Sequence, residues 1–99
     1  MKKAYKVFIA QNAQDDLRHI FSYIAEDSLS NAKIFVSELE EKINTLSTLP
    51  ERASYIPENV FLGTDYRQLI HRKYRVIYRL DKNNIYVLRV IHGSKEPVR

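Results

Sequence analysis

Between Tyr66 and Lys95 the chain reads YRQLIHRKYRVIYRLDKNNIYVLRVIHGSK: three β-prone stretches joined by polar links of three and four residues. Links that short connect strands as consecutive antiparallel hairpins. The alternation predicts strands over Tyr66–Ile70, Tyr74–Leu80 and Ile85–His92. If the last hairpin turns with Leu80 opposite Ile85, then Tyr78 faces Val87, Val76 faces Arg89, Arg75 faces Val90 and Lys73 faces His92. Side-chain alternation then gathers Lys73, Arg75, Ile77 and Arg79 on one face with Tyr86, Leu88, Val90 and His92, and brings Gln68 beside Arg75. Val76, Leu80, Val87 and Ile91 turn to the other face. The expected result is a basic cluster with one histidine on an aromatic-rich sheet, a surface suited to phosphates or an acidic partner.

The N-terminal part supplies what covers such a sheet. Ala4 to Ile9 reads as a strand, and Asn12 is placed to cap a helix in which Ala13, Leu17, Ile20, Phe21 and Ile24 form an apolar stripe and Asp15 and Asp16 sit in the first turn. A second helix is expected from Ser28 or Ser30, with Ala32, Phe35, Val36, Leu39, Ile43, Leu46 and Leu49 on one face, ending at Pro50. The short connection makes the two an antiparallel hairpin. Residues 51–65 show no sustained period and read as a surface crossing. The predicted fold is α+β in the order β-α-α-β-β-β, a helical hairpin packed on an antiparallel sheet, in one domain spanning residues 1–99.

Charge is divided unevenly: residues 63–99 hold nine Lys/Arg against three Asp/Glu, while residues 1–62 hold seven against nine. Function is therefore expected in the C-terminal half. The absence of cysteine excludes disulfides and thiolate zinc sites. No apolar run approaches a signal-peptide core or a membrane span, which together with the missing cysteines predicts a cytoplasmic chain without membrane partners. His19, His71 and His92 have no metal-ligand spacing, and no cofactor is expected.

The opening strand, the helix beginning around Asn12-Ala13-Gln14-Asp15-Asp16-Leu17, its Ile24-Ala25 end, Tyr66-Arg67 with Leu69, YRVIYR at Tyr74–Arg79 and RVIHGSK at Arg89–Lys95 follow one another in a fixed series. That series resembles the RelE/ParE superfamily of bacterial toxins along nearly the whole chain. The resemblance implies the toxin half of a type II toxin–antitoxin pair, neutralised when a cognate antitoxin protein wraps around it.

It also implies one of two activities. RelE-like members cleave messenger RNA on the ribosome, without a metal, by attack of a 2′-hydroxyl on the neighbouring phosphate, which requires proton transfer and cations on the phosphate. For that chemistry Arg75 matches the family's phosphate-binding arginine and Lys95 sits near its second basic position. The late aromatic acid or base is missing, and His92 is the residue that could replace it. ParE-like members poison DNA gyrase and need no catalytic residue, and Arg89-Val90-Ile91-His92 fits the end of their last strand closely. The favoured expectation is therefore a gyrase-directed toxin whose target-binding residues are Lys73, Arg75, Arg79, His92, Lys95 and Arg99. The ribosome-dependent endoribonuclease, with Arg75, His92 and Lys95 catalytic, is the alternative, and a third reading is an inactive partner-binding module.

Each of these residues also has a structural reading. Arg75 could pair with Asp65 or Glu58 and order the sheet. Arg67 and Arg89, on the other face in this register, suit pairing with helix carboxylates. His92 could be a half-buried strand-end histidine.

Overall fold

The computed structural model describes residues 4–48, 50–51 and 53–93. In chain order the elements are β1 (Lys6–Ile9), α1 (Gln11–Ala25), α2 (Leu29–Asn44), a short 3₁₀ turn (Thr45–Ser47), β2 (Ser54–Tyr55), α3 (Asn59–Leu62), β3 (Arg67–His71), β4 (Tyr74–Asp81) and β5 (Asn84–His92). The α+β expectation holds, with the α1–α2 hairpin against one face of a sheet ordered β1-β5-β4-β3-β2.

The sheet is mixed, which corrects the antiparallel expectation. β1 lies parallel to β5, Lys6 opposite Asn84 through Ile9 opposite Val87, while all other pairs are antiparallel. Alternation along β1 carries Val7 and Ile9 into the main apolar cluster. They join Ala13 and Ile20 of α1, Leu39 and Ile43 of α2, and Val76, Tyr78, Ile85, Val87 and Val90 of the two long strands. Tyr78 is fully buried, and its hydroxyl donates to the Pro50 carbonyl, pinning the end of the helical half to the middle of the sheet.

Helix α1 starts earlier than the Asn12 signal suggests. Its N-cap is Ala10, which has no side-chain cap. Gln14 instead donates from Nε2 to the Ile9 carbonyl at 2.9 Å, so the last residue of β1 is joined directly to the first turn of the helix. Asp15 and Asp16 consequently fall beyond the first turn, where the pull of the helix dipole is weaker. The second helix is capped as expected: Ser28 Oγ accepts from Asn31 N–H at 3.2 Å. It ends at Asn44, ahead of Pro50. Thr45 Oγ1 donates to the Lys42 carbonyl at 2.6 Å and Ser47 Oγ to that of Asn44 at 2.9 Å, hydroxyls competing for acceptors as the helix tightens into the 3₁₀ turn. Leu49, expected on the apolar face of this helix, lies outside the described residues.

The segment read as a plain crossing contains two small elements. β2 pairs with β3 at Ser54–Gln68 and Tyr55–Arg67, and α3 closes on Gly63, whose φ of 68° is the left-handed cap geometry that glycine adopts without strain. Asn59 organises this segment: its Nδ2 donates to the Tyr66 carbonyl and its Oδ1 accepts from Tyr66 N–H and Thr64 Oγ1.

The β4–β5 register follows the expectation only as far as Tyr78. Leu80 faces Ile85 and Tyr78 faces Val87, but Ile77 then faces Arg89, leaving Leu88 as an unpaired extra residue. Beyond this bulge every pair moves by one: Val76 faces Val90, Arg75 faces Ile91 and Tyr74 faces His92. Val90 therefore enters the core cluster in place of the expected Ile91.

Candidate target-binding surface

Arg75 lies on the sheet face away from the α1–α2 hairpin and is only 7% exposed. Its Nη1 and Nη2 donate to the two carboxylate oxygens of Glu58 at 2.9 and 2.8 Å, and its Nε donates to Gln68 Oε1 at 2.7 Å. This fork-on-fork geometry is the one an arginine would use on a phosphate. Here the chain supplies the anion from the turn preceding α3. The guanidinium hydrogen bonds hold the Glu58 carboxyl below its ordinary range, against the opposing effect of burial.

His92 is carried to the other side. Tyr74 packs against the main cluster, and its ring meets that of His92 edge-on at 5.6 Å. Both line an open groove of about 330 Å³ with Asp16, His19 and Tyr23 of α1 and Arg89 of β5. The expected union of Arg75 and His92 in one cluster does not form, because the Leu88 bulge reverses the phase of β5 between them.

At the wall of this groove Arg89 donates from Nε and Nη2 to Asp16 at 2.8 and 3.0 Å, and Asp16 Oδ2 also accepts from the Val90 amide at 2.8 Å. The physical reason lies in the sheet edge. Pairing with β1 stops at Val87, and the α1 carboxylate satisfies the amide that the strand would otherwise leave open. The contact with Asp16 pushes the Arg89 pKa further up. Pairing of Arg89 with a helix carboxylate was expected. Arg67 behaves otherwise, donating to the Glu51 and Ala53 carbonyls and to Tyr55 Oη.

Lys73 is exposed in the two-residue link before β4, where its carbonyl accepts from Gly93 N–H at 2.7 Å. Arg79 shares the face of Arg75 but stands near the opposite end of β4, its guanidinium carbon 4.3 Å from the centre of the Tyr86 ring and its Nη1 3.7 Å from Asp81. Lys95 and Arg99 lie outside the described residues. The described residues form no cluster of three or more His, Cys, Asp or Glu able to hold a metal ion, and none of their helices is long and apolar enough to cross a membrane.

Beside the end of β1, Leu17 and Phe21 of α1 and Val36 of α2 line a second groove of about 320 Å³ together with Ile9, Gln14, Arg18 and Glu40. An apolar strip between two helices with charged rims is a shape that receives another amphipathic segment.

A helical hairpin on a five-stranded mixed sheet with arginine-bearing central strands is the architecture of RelE/ParE-like folds that the ordered sequence series implied. The chain belongs to the ParE toxin family of the type II toxin–antitoxin system parDE, whose profile matches residues 7–97. Among solved structures, the chromosomal ParDE toxin–antitoxin system from P. aeruginosa contains a chain with the same fold at a TM-score of 0.75 and 19% identity, the match covering 91% of this chain and 97% of that one. A chain of the RelBE2 toxin–antitoxin complex from Mycobacterium tuberculosis matches at a TM-score of 0.66 and 21% identity, covering 93% and 94%. No curated protein matches the sequence significantly.

Proposed function

We propose that this toxin inhibits growth by binding DNA gyrase rather than by cutting messenger RNA, and that a cognate antitoxin neutralises it. The observation that carries the reading is the separation of Arg75 from His92. A ribonuclease built on this chain would need both on one scissile phosphate, the arginine holding the charge while the imidazole moves a proton. Instead, Arg75 is occupied by Glu58 on one face of the sheet, and His92 stands beside Tyr74 and the α1 groove on the other. A binding protein asks no such convergence. Its contacts are the exposed Lys73 and His92 and the half-buried Arg79, with Lys95 and Arg99 adding to the cationic charge of the C-terminal sequence.

The antitoxin reading is supported by the company of the fold: one structural neighbour belongs to a ParDE system and the other to a RelBE2 toxin–antitoxin complex. The antitoxin supplies an amphipathic segment that folds on binding into the Leu17–Phe21–Val36 groove, and a separate acidic stretch that reaches the basic sheet on the other face.

Supercoiling by purified gyrase and cleavage of ribosome-bound message, assayed side by side, test the target. The expected result is inhibited supercoiling and intact message, with His92→Ala close to wild type and removal of Ser94–Arg99 weakening inhibition. A ribonuclease would instead lose about 10²–10⁴-fold of its cleavage with His92→Ala. Cut message with unaffected supercoiling would overturn the proposal.

A further inference from the structure

We infer that the sheet face away from the helical hairpin, at the β1–β5 edge, is a stacking site for an unpaired nucleic-acid strand. Three neighbouring strands present flat groups in one row there. Phe8 of β1 is directly opposite Tyr86 of β5, and Tyr86 is directly opposite Arg79 of β4. The Phe8 and Tyr86 rings stack with centres 5.4 Å apart and planes within 18°, and the Arg79 guanidinium lies 4.3 Å from the centre of the Tyr86 ring. The intervening side chains Val7, Ile9, Ile85, Val87, Tyr78 and Leu80 all belong to the core or pack against it, so alternation commits the row to the solvent side.

Phe8 is 45% exposed, and among the described residues no element is folded over it. A single exposed aromatic ring is ordinary on a protein surface. A row of two stacked rings and a guanidinium, flanked by cations, is a more specific arrangement. Lys6 precedes Phe8 by two residues on the same face. Lys82 occupies the β4–β5 turn, where Lys6, Lys82, Asn83 and Asn84 line an open depression of about 430 Å³. Asp81, 3.7 Å from Arg79, is the one carboxylate in this group, against three cations.

The chemistry favours a nucleic-acid strand over an acidic peptide. Every base has a π-face that stacks on aromatic rings and on guanidinium planes whatever its sequence, while lysines beside the row meet the phosphates. Carboxylates of a peptide would gain from the lysines and nothing from the rings. Phe8 and Arg79 cover the two faces of the Tyr86 ring, which leaves the outer face of Phe8, on the edge strand, as the plane on which an unstacked base can lie, with the lysines beside it for the flanking phosphates. This inference does not rest on the gyrase reading, with which it shares Arg79 alone, nor on the Arg75–Glu58 pair.

Fluorescence anisotropy with labelled twelve-residue oligothymidylate and oligouridylate, titrated with the full chain at two salt concentrations, tests it, and the two oligomers distinguish DNA from RNA as the source. At least one is expected to bind, with affinity falling as salt rises. Phe8→Ala should weaken binding about tenfold, Phe8→Tyr should retain it, and Lys82→Glu should weaken it further. Far-ultraviolet circular dichroism of each variant confirms the fold. The inference is overturned if neither oligomer binds, if Phe8→Ala binds as wild type, or if labelled oligoglutamate binds equally well and loses affinity with the same substitutions, which would make the row an acidic-peptide site.

Discussion

Arg75 shows how one side chain can read differently in sequence and in space. Its place in YRVIYR pointed toward a phosphate, yet its fork is filled by Glu58, one of two carboxylates identified beforehand as possible structural partners. The sequence lacked the distance information to choose between them, because Glu58 lies 17 residues away across a segment without periodicity. Removing one member of a buried pair leaves the other without its counter-charge, at a cost of about 3–5 kcal/mol when burial is complete. Glu58 keeps an edge to water, so Arg75→Ala should cost about 2 kcal/mol, lowering the melting temperature by roughly 10 °C in a domain of this size. Loss of toxicity in that variant therefore has to be judged against its soluble, folded fraction.

The same pair predicts a pH dependence. Glu58 titrates below the ordinary 4.5 when folded, so its contribution is complete above about pH 4.5 and is lost as pH falls through the depressed folded value. Urea midpoints measured from pH 6 to pH 3 should fall more steeply for wild type than for Glu58→Gln. Parallel curves would mean that the pair does not couple to folding.

At the scale of elements, the two helices, the three C-terminal strands and the strand before α1 were all legible, because their apolar periods are long enough to distinguish helix from strand. Three features were not. The two-residue β2 and four-residue α3 are shorter than any period. Parallel pairing of β1 with β5 joins segments separated by almost the whole chain, and neither carries a local sign of the other. The bulge escaped because Val87-Leu88 and Val90-Ile91 offer an apolar residue to the core in either phase.

Deleting Leu88 should therefore leave the pairing of Val76 with Val90 and of Tyr74 with His92 intact, since it removes only the residue without a partner. The loss should fall on Arg89, which the straightened strand would aim away from α1. Asp16→Asn is expected to cost about 2 kcal/mol in the parent chain, in keeping with charge-assisted hydrogen bonds, and markedly less in the Leu88 deletion. Chemical denaturation of the four proteins in this cycle measures the difference. Equal costs in both backgrounds would show that the bulge does not orient Arg89.

For the whole molecule, the charge asymmetry and the apolar hairpin groove make separate demands on an antitoxin. A neutralising segment that uses both should dissociate faster as salt rises, while retaining the affinity that comes from apolar burial. Val36→Glu places a charge in the groove without touching the sheet. It should weaken the complex about tenfold or more by isothermal calorimetry at any ionic strength, given the ~1.5–3 kcal/mol that a buried valine contributes. A complex whose affinity is independent of salt would limit the contact to the hairpin.

The pairing of β1 with β5 also has a consequence in time. Asp16 reaches its partners Arg89 and Val90 across 73 and 74 residues, and the apolar face of the hairpin has no central strands to rest on until β4 and β5 are present. Contacts of such sequence separation close slowly, because the intervening chain must be ordered before they return any stability. Stopped-flow refolding should show a main phase in the millisecond-to-second range rather than the microseconds of a helical bundle. During synthesis the chain would emerge as helices with an uncovered apolar side and become a toxin only once its final strand is free. An antitoxin already present could thus meet it before its sheet is complete.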